Sequence, residues 1–117
     1  MVASTGSTLS ALGAFGTQMA VTANNIANVE TEEFKKSRAV LEEGPNSEVQ
    51  VEIEKIDTPG PTVTEIRDGE RVDKEMSNVD LAEEIPRTIT AQRSYEANLT
   101  VIKTRDEMLG TLVDILG

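Results

Sequence analysis

Carboxylates are the side chains of this sequence that could most readily form a catalytic or metal-binding site. The 21 acidic residues include adjacent pairs at Glu32-Glu33, Glu42-Glu43 and Glu83-Glu84, but neighbours in sequence do not face one another across a site. Asp68-Gly69-Glu70 lacks the ligand spacing of a calcium loop. The absence of His and Cys removes thiol nucleophiles, the usual triads and most zinc sites. We therefore identify no catalytic residue and no metal ligand, and we expect no cofactor.

The charge balance argues against several partners. The formal net charge is −10, which disfavours phosphate neutralisation and so predicts no nucleic-acid binding. The first residues, MVASTGSTLSALGAFG, have neither a basic n-region nor a sustained apolar h-region, so we expect no cleaved signal peptide. No segment is long and apolar enough to span a bilayer, so we expect no membrane insertion.

Side-chain amides form the second polar group of interest. Asn24, Asn25 and Asn28 fall at the end of a predicted helix, although Asn is a poor helix former. One interpretation is that these amides bond to a neighbouring backbone or side chain. The other is that they unwind the helix and cap its end. The residues alone do not choose between the two.

The element that must position these groups is a long helix predicted over 78–116. Apolar residues recur there every seventh position in two rows, which is typical of a helix that packs on a helical partner. Its length is about 50 Å, more than the width of a domain of this size. Ser77 and Asp80 resemble a capping box. Pro86 predicts a kink near Ala82 to Ile85, or a helix that begins at about Glu83.

A second helix is predicted over 8–29, where apolar residues again follow a seven-residue spacing. Because the chain returns through a short middle segment, we expect the two helices to pair antiparallel in a coiled-coil-like manner. The predicted intramolecular seam between them consists of Leu9, Leu12, Met19, Ile26, Leu81, Ile85, Tyr95, Leu99, Ile102, Leu109, Val113 and Leu116.

The long helix also carries apolar residues outside the seam. Val101, Met108 and Ile115 each lie two residues beyond a seam position, which places them about 200° around the helix. One partner helix cannot cover both sides. We therefore predict that these three residues form an interface with other subunits.

The middle segment, residues 34–74, has the period of β structure. Val49, Val51 and Ile53 alternate with polar residues, and we expect them on one face of an antiparallel strand with Val63 or Ile66 opposite. From the residues alone the middle is a small antiparallel β unit or a partly ordered loop. The predicted fold class is mainly α with a small β insertion, in which the two terminal helices flank a short antiparallel β unit.

Two stretches carry a family resemblance. Ala23-Asn24-Asn25-Ile26-Ala27-Asn28-Val29-Glu30-Thr31, followed by Phe34-Lys35, resembles the N-terminal signature of the flagellar basal-body rod and hook proteins. Residues 77–84 (SNVDLAEE), 90–98 (TAQRSYEAN) and 101–104 (VIKT) resemble their C-terminal signature. The motif positions carried over are Ala23, Asn24, Asn25, Ile26, Ala27, Asn28, Thr31, Phe34, Asn78, Asp80 and Leu81.

The resemblance implies a structural subunit of the flagellar rod, built with paired terminal helices in a tubular core. It implies copies of the same chain, other rod and hook axial proteins and the flagellar type III export apparatus as partners, with export that needs no cleaved signal. The short middle segment suggests a small proximal-rod-type member or a rod-like paralogue. Glu33 stands where the family usually has Gly before the Phe-Lys pair. The alternative hypothesis is a soluble helical-hairpin adaptor or export chaperone.

Overall fold

The computed structural model describes residues 2–117, with side chains from Gly6 onward, as two long helices and two β-hairpins. In chain order the elements are α1 (Val2–Ala27), β1 (Ser37–Glu43), a 3-10 turn (Pro45–Ser47), β2 (Val49–Lys55), β3 (Thr62–Arg67), β4 (Glu70–Glu75) and α2 (Leu81–Leu116). The molecule measures 82 × 25 × 17 Å. These elements confirm helices combined with a short β insertion. Neither helix, over the residues described, is long and apolar enough to cross a membrane.

The two helices run antiparallel, as two contacts far apart along them show. Near the start of α2, Oε2 of Glu84 lies 3.3 Å from Nδ2 of Asn25, which is close to the end of α1. One helix length away, Nη1 of Arg105 lies 3.4 Å from Oγ1 of Thr8. The chain positions therefore run in opposite directions along the pair.

The start of α2 differs from the prediction. The N-cap is Asp80, whose Oδ1 accepts a hydrogen bond from the Ala82 amide at 3.0 Å, and the helix continues from Leu81 through Pro86. A later start at Glu83 was therefore wrong. Pro86 deprives the carbonyl of Ala82 of its helical donor, and Ala82 lies at an exposed position of the first turn. Ser77 is not the cap; its buried hydroxyl accepts from the Val79 amide at 3.1 Å.

Both bounds of α1 also differ from the predicted 8–29. The helix begins at Val2. The residues before Thr8 are mostly small and show no apolar periodicity, so the sequence pattern did not predict that they are helical. It ends at Ala27, where Nδ2 of Asn28 donates to the carbonyl oxygen of Asn24 at 2.8 Å. The same carbonyl oxygen also accepts from the backbone amide of Asn28 at 3.2 Å, so Asn28 closes the end of the helix with two donors.

The strand partners predicted for the middle segment were wrong. The structure pairs β2 with β1, so that Val51 faces Leu41 and Ile53 faces Ala39. It pairs β3 with β4, so that Val63 faces Lys74 and Ile66 faces Arg71. Each strand thus pairs with its nearest neighbour in the chain, in two separate two-stranded sheets.

The first hairpin lies along α1. Near its base, the amide and carbonyl of Ser37 bond to the side chain of Asn25. Near its tip, the hydroxyl of Ser7 donates to the carbonyl oxygen of Ser47 at 2.7 Å, and the Val49 amide donates to Oγ of Ser10 at 3.0 Å. A two-stranded sheet is at most marginally stable alone, so α1 provides the support that this hairpin needs.

The face that α2 turns to α1 coincides only in part with the predicted one. Its less exposed positions follow a seven-residue pattern that is largely polar: Glu84, Thr88, Ala91, Tyr95, Asn98, Ile102 and Arg105. Tyr95 and Ile102, which belong to one of the two predicted rows, lie on this face. The other covered row, which contains Glu84 and Asn98, is shifted by one residue from the predicted row that contains Ile85 and Leu99. Leu12, Met19, Ile26, Tyr95 and Ile102 are half-buried.

Seven predicted seam residues are exposed: Leu9, Leu81, Ile85, Leu99, Leu109, Val113 and Leu116. The fully buried apolar side chains, among those described, are Ala14 and Ala91. Small side chains let the backbones approach closely, and an apolar pattern based on large residues does not detect them.

Candidate functional site

The last turns of α1, the first residues of β1 and the first turns of α2 meet in a buried cluster, here called the polar junction: Asn25, Ser37, Arg38 and Glu84. Asn25 has no solvent exposure. Its Nδ2 donates to the Ser37 carbonyl oxygen at 2.8 Å and to Oε2 of Glu84 at 3.3 Å. Its Oδ1 accepts from the Ser37 amide at 3.0 Å. One amide therefore ties three elements together.

Glu84 brings a carboxylate into the junction, also with no solvent exposure. Its Oε1 lies 2.6 Å from Nη2 of Arg38, close enough for an ion pair although not aligned as a hydrogen bond. Arg38 also contacts the carboxylate of Glu83. Burial lowers the pKa of Arg38, but the contacts with Glu84 and Glu83 outweigh it, so the pKa is raised. The guanidinium therefore stays charged and compensates the buried carboxylate, which would be costly to leave unpaired.

A second set of contacts, formed by Asn78, fastens the segment before α2. Its Oδ1 accepts from the Lys36 amide at 2.7 Å, and its Nδ2 donates to the carbonyl oxygens of Ile56 and Thr58 at 2.8 and 2.9 Å. Its own amide donates to the Phe34 carbonyl at 3.2 Å. Asn78 thus joins the segments just before β1 and just after β2 to the start of α2.

The base of the second hairpin is fastened beside it. The carboxylate of Glu75 contacts the ammonium of Lys35 and accepts from the Gly60 amide at 3.0 Å. The hydrogen bond from Lys35 and the one from Gly60 lower the pKa of Glu75. The backbone carbonyl of Glu75 accepts from the Glu33 amide at 3.0 Å, and Glu33 has a left-handed φ of 59°. The sharp turn before Phe34 is thus made without the glycine that the family usually has there.

The asparagines follow both interpretations left open by the sequence. Asn25 bonds to a neighbouring strand and helix, whereas Asn28 bonds back to Asn24 and accepts from the Thr31 hydroxyl at 3.0 Å. Asn24 is exposed. The other motif residues are placed nearby: Ala23, Ala27 and Thr31 are exposed, Ile26 and Phe34 are half-buried, and Asp80 caps α2 ahead of exposed Leu81.

Arg38 and Glu84 were not identified from the sequence as site residues. The signal that could have revealed Glu84 is its seven-residue spacing from Ala91, Asn98 and Arg105, a covered row that is mainly polar. Arg38 lies outside both signature stretches and had no signal of its own. No three carboxylates converge as metal ligands anywhere in the part of the chain that the structure describes. The junction holds the three elements together.

Outside the junction, α2 has two exposed apolar surfaces. The distal stripe consists of Val101, Met108, Leu112 and Ile115, which are 42%, 63%, 51% and 74% exposed. It includes the three residues predicted to meet other subunits. Met108 and Leu112 line an open groove of about 450 Å³ with Thr104, Glu107 and Thr111. The proximal stripe consists of Leu81, Ile85, Ile89 and Leu99, which are 39–53% exposed.

Comparison with known proteins identifies the two ends of the chain. A family model described as "Flagella basal body rod protein" matches residues 7–35. Another, described as "Flagellar basal body rod FlgEFG protein C-terminal", matches residues 74–115. The matches lie in the same order as the two signatures, and together they cover more than half of the chain. The chain belongs to the flagellar basal-body rod and hook family.

Individual relatives match over short stretches. The chain is similar to the flagellar hook protein FlgE of Escherichia coli, with 51% identity over 41 residues, 35% of this chain and 10% of the relative. It is similar to the flagellar basal-body rod protein FlgG of Bacillus subtilis, with 49% identity over 41 residues, 35% of this chain and 16% of the relative. The FlgG protein of Borreliella burgdorferi is 58% identical over 36 residues, 31% of this chain and 14% of the relative.

The two matched segments meet at the polar junction. Asn25 belongs to the N-terminal match, and Asn78 and Glu84 belong to the C-terminal match, although 53 residues or more separate them in the chain. The contact between Asn25 and Glu84 joins them directly. The junction is therefore the point at which the two family segments form one structural unit.

Proposed function

We propose that the protein is a structural subunit of the bacterial flagellar basal-body rod and assembles by helix packing into a tubular axial structure. The family of the chain supports this proposal, and so does a site that holds elements together. The partners are copies of the same chain and other axial proteins of the rod and hook. We expect the flagellar type III apparatus to export the protein.

The observation that carries the proposal is the exposed apolar surface of α2. Met108, Leu112 and Ile115 are more than half exposed and lie within two turns of the helix. A contiguous apolar surface on a soluble chain marks an interaction site. Burial of such side chains stabilises an interface by about 1.5–3 kcal/mol each when complete. The distal stripe is therefore the surface that we expect neighbouring subunits to cover.

The middle of the chain is consistent with a small member of the rod. Between the two matched segments lie two short hairpins of seven- and six-residue strands. A segment of this size adds little width to a tube. We therefore assign the chain to a proximal-rod-type position or to a rod-like paralogue.

The test is incorporation of a Met108→Glu variant. The side chain is 63% exposed in the monomer, so the helical content of the free protein should stay within a few per cent of the parent. At an interface the unpaired charge would cost several kcal/mol, so the variant should be exported but absent from purified hook–basal bodies, and the cells should be non-motile.

Met108→Leu is the matched control, because it keeps an apolar side chain of similar volume, and it should assemble normally. Normal motility with Met108→Glu present in the basal body would refute the role of this surface. A parent protein that stays small in sedimentation at rising concentration, and is absent from basal bodies, would instead favour the adaptor or chaperone and refute the structural role.

A further inference from the structure

We infer that the second hairpin is a hinged arm, which the carboxylate of Glu75 latches to the rest of the molecule. The arm consists of β3, β4 and the turn between them, residues 62–75. While this carboxylate is ionised, the arm is held in one orientation. When the carboxylate is protonated, the arm turns about its base, and the two helices and the first hairpin keep their arrangement. The inference goes beyond the proposed function, because it does not depend on what the chain assembles with.

The arm stands apart from the other elements. In the part of the chain that the structure describes, β3 and β4 pack extensively only against each other, whereas both strands of the first hairpin also lie on α1. Val63, Ile66 and Val72 of the arm are 45%, 74% and 40% exposed. Burial of apolar side chains therefore does little to fix the orientation of the arm.

Polar contacts between the arm and the rest of the described chain all run through its last two residues, Lys74 and Glu75. The carboxylate of Glu75 contacts the ammonium of Lys35 and accepts a hydrogen bond from the Gly60 amide at 3.0 Å. Its backbone carbonyl oxygen accepts from the Glu33 amide at 3.0 Å. The side chain of Glu75 thus joins the arm to the segment before β1 and to the loop before β3.

Of the two ion pairs at the base of the arm, the one formed by Glu75 is the stronger latch. Nζ of Lys74 lies 2.9 Å from Oε1 of Glu32, but it also lies 3.1 Å from Oε2 of Glu65, which belongs to the arm itself. The side chain of Glu32 is 53% exposed, whereas those of Lys35 and Glu75 are 20% and 36% exposed. An exposed pair contributes little, and the Glu75 carboxylate also holds a backbone amide through a charge-assisted hydrogen bond. Loss of this charge therefore removes most of what fixes the orientation of the arm.

The base of the arm provides the hinge. The chain enters the arm after Pro61 and leaves it before Met76, and there the Met76 amide donates to the Pro61 carbonyl oxygen at 2.8 Å. The chain beyond this point is fixed, because Asn78 bonds to the segments before β1 and after β2. The backbone bond from Glu33 to Glu75 does not depend on the charge of the carboxylate, so it remains as the pivot.

The arm moves as a unit, because its internal contacts do not involve the latch. Asp68 and Gly69 connect the strands with positive φ angles of 53° and 81°, which are typical of a two-residue hairpin loop. Oγ1 of Thr64 donates to Oδ1 of Asp73 on the opposite strand at 2.7 Å, and such cross-strand pairs stabilise antiparallel sheets. The pairing of β3 with β4 therefore survives the loss of the charge on Glu75.

Acid opens the latch. Hydrogen bonds from Lys35 and from the Gly60 amide lower the pKa of Glu75 from its ordinary value of 4.5. The latch is therefore closed above that value and opens as the pH falls through the lowered pKa. Protonation of Glu75 leaves the ammonium of Lys35 with the Thr58 carbonyl oxygen, 3.4 Å away. The other charged residues at the base of the arm are Glu32, Glu33, Lys74 and Glu65.

Distances between nitroxide labels test the inference, because the sequence contains no Cys and labels attach only where one is introduced. A label on the arm at Arg71→Cys and one on α2 at Ala97→Cys report the orientation of the arm, and both positions are exposed. The full-length protein is measured by pulsed electron paramagnetic resonance at a concentration at which it sediments as a monomer. At pH 7 the Glu75→Gln change should widen the distribution of distances about two-fold, because a neutral amide forms no ion pair with Lys35. Lys35→Met should have the same effect.

The matched control is Glu65→Gln, the same change on the same arm at a carboxylate whose ion pairs, with Lys74 and Arg67, lie within the arm. It should leave the width of the distribution unchanged. A second pair of labels, at Gln50→Cys on the first hairpin and at Ala97→Cys, should keep its width in every variant, because the first hairpin lies on α1.

The pH adds an independent measurement. In the parent, a fall from pH 7 to pH 3.5 should widen the distribution for the arm, whereas Glu75→Gln should give a wide distribution at both values. An unchanged distribution in Glu75→Gln at pH 7, or equal widening with Glu65→Gln, would overturn the inference. Widening for the first hairpin, or loss of helical circular dichroism, would show that Glu75 stabilises the whole fold and would overturn it as well.

Discussion

Replacement of Asn25 should show how much the polar junction contributes to folding. Asn25→Ala removes three hydrogen bonds, two to the backbone of Ser37 and one to Glu84. At about 1 kcal/mol for each bond, the expected loss is about 3 kcal/mol. The whole stability of a chain of this length is roughly 6–17 kcal/mol, so one amide accounts for a substantial part.

Urea unfolding followed by far-ultraviolet circular dichroism measures this loss as a lower midpoint at unchanged slope. The matched control is Asn24→Ala, at an exposed neighbour whose side chain accepts only a 3.4 Å contact from Asn28. It should change the free energy of unfolding by less than about 0.5 kcal/mol. A loss below 1 kcal/mol for Asn25→Ala would show that the amide does not hold the three elements together.

The Asn25→Asp variant tests the same contacts through the pH dependence of the free energy of unfolding. The new carboxylate has the shape of the amide, but one oxygen would face the Ser37 carbonyl oxygen and the Glu84 carboxylate, both acceptors. Its pKa should rise above the unfolded value of about 3.9. The destabilisation is therefore full at neutral pH and decreases as the pH falls through the raised pKa. If the difference in unfolding free energy from the parent stays constant between pH 7 and pH 4.5, the assigned orientation of the amide is wrong.

Three further outcomes are expected. Glu33→Gly should stabilise the protein by about 1 kcal/mol in urea unfolding, because Glu33 has a left-handed φ of 59° that costs a side chain about 1 kcal/mol; no gain would contradict this backbone conformation. Gly60→Ala should destabilise it in the same assay by more than about 1 kcal/mol, because a Cβ there would lie 2.0 Å from the Met76 carbonyl oxygen; a neutral change would contradict the packing of that loop. The parent should lose stability below about pH 4.5. A hydrogen bond from Lys74 lowers the pKa of Glu65, one from Lys35 lowers the pKa of Glu75 and one from Arg38 lowers the pKa of Glu83, in each case from an ordinary value of 4.5. The stabilisation is therefore present above that value and is lost as the pH falls through the lowered pKa values. Urea midpoints that do not change from pH 6 to pH 3 would refute these ion pairs.

The seven-residue repeat predicted the long helix and its need for partners, but not which side of it contacts α1. The rows of large apolar residues were read as the seam, whereas the covered face contains Glu84, Ala91 and Asn98. A buried carboxylate is tolerated on that face because Asn25 donates a hydrogen bond to Glu84 and Arg38 forms an ion pair with it. This compensation depends on residues that are distant in the sequence, so an apolar period does not reveal it.

The hairpins show a different limit, which lies in the turns. The alternating pattern identified β2 but not its partner strand. The link from β1 to β2 passes through Asn46 and Ser47, which are both in left-handed conformations, and it contains no two-residue hairpin motif that would have predicted the pairing. Asp-Gly is a typical turn dipeptide, and the φ angles of Asp68 and Gly69, 53° and 81°, suit a two-residue hairpin loop. The strand after this turn was missed because Glu70–Glu75 contains one apolar residue, Val72.

The large apolar residues that are exposed on α2 indicate that this helix serves for more than packing within its own chain. If α2 existed only to support its own chain, its best apolar residues would face α1, yet Met108 and Ile115 are 63% and 74% exposed. The contact with α1 is instead made mainly by small and polar side chains, together with half-buried Tyr95 and Ile102. Burial of large apolar side chains is the main favourable term in association, so the exposed apolar side chains of α2 remain available for contacts with a partner. A monomer of modest stability that assembles strongly is the expected consequence for a subunit of an axial structure.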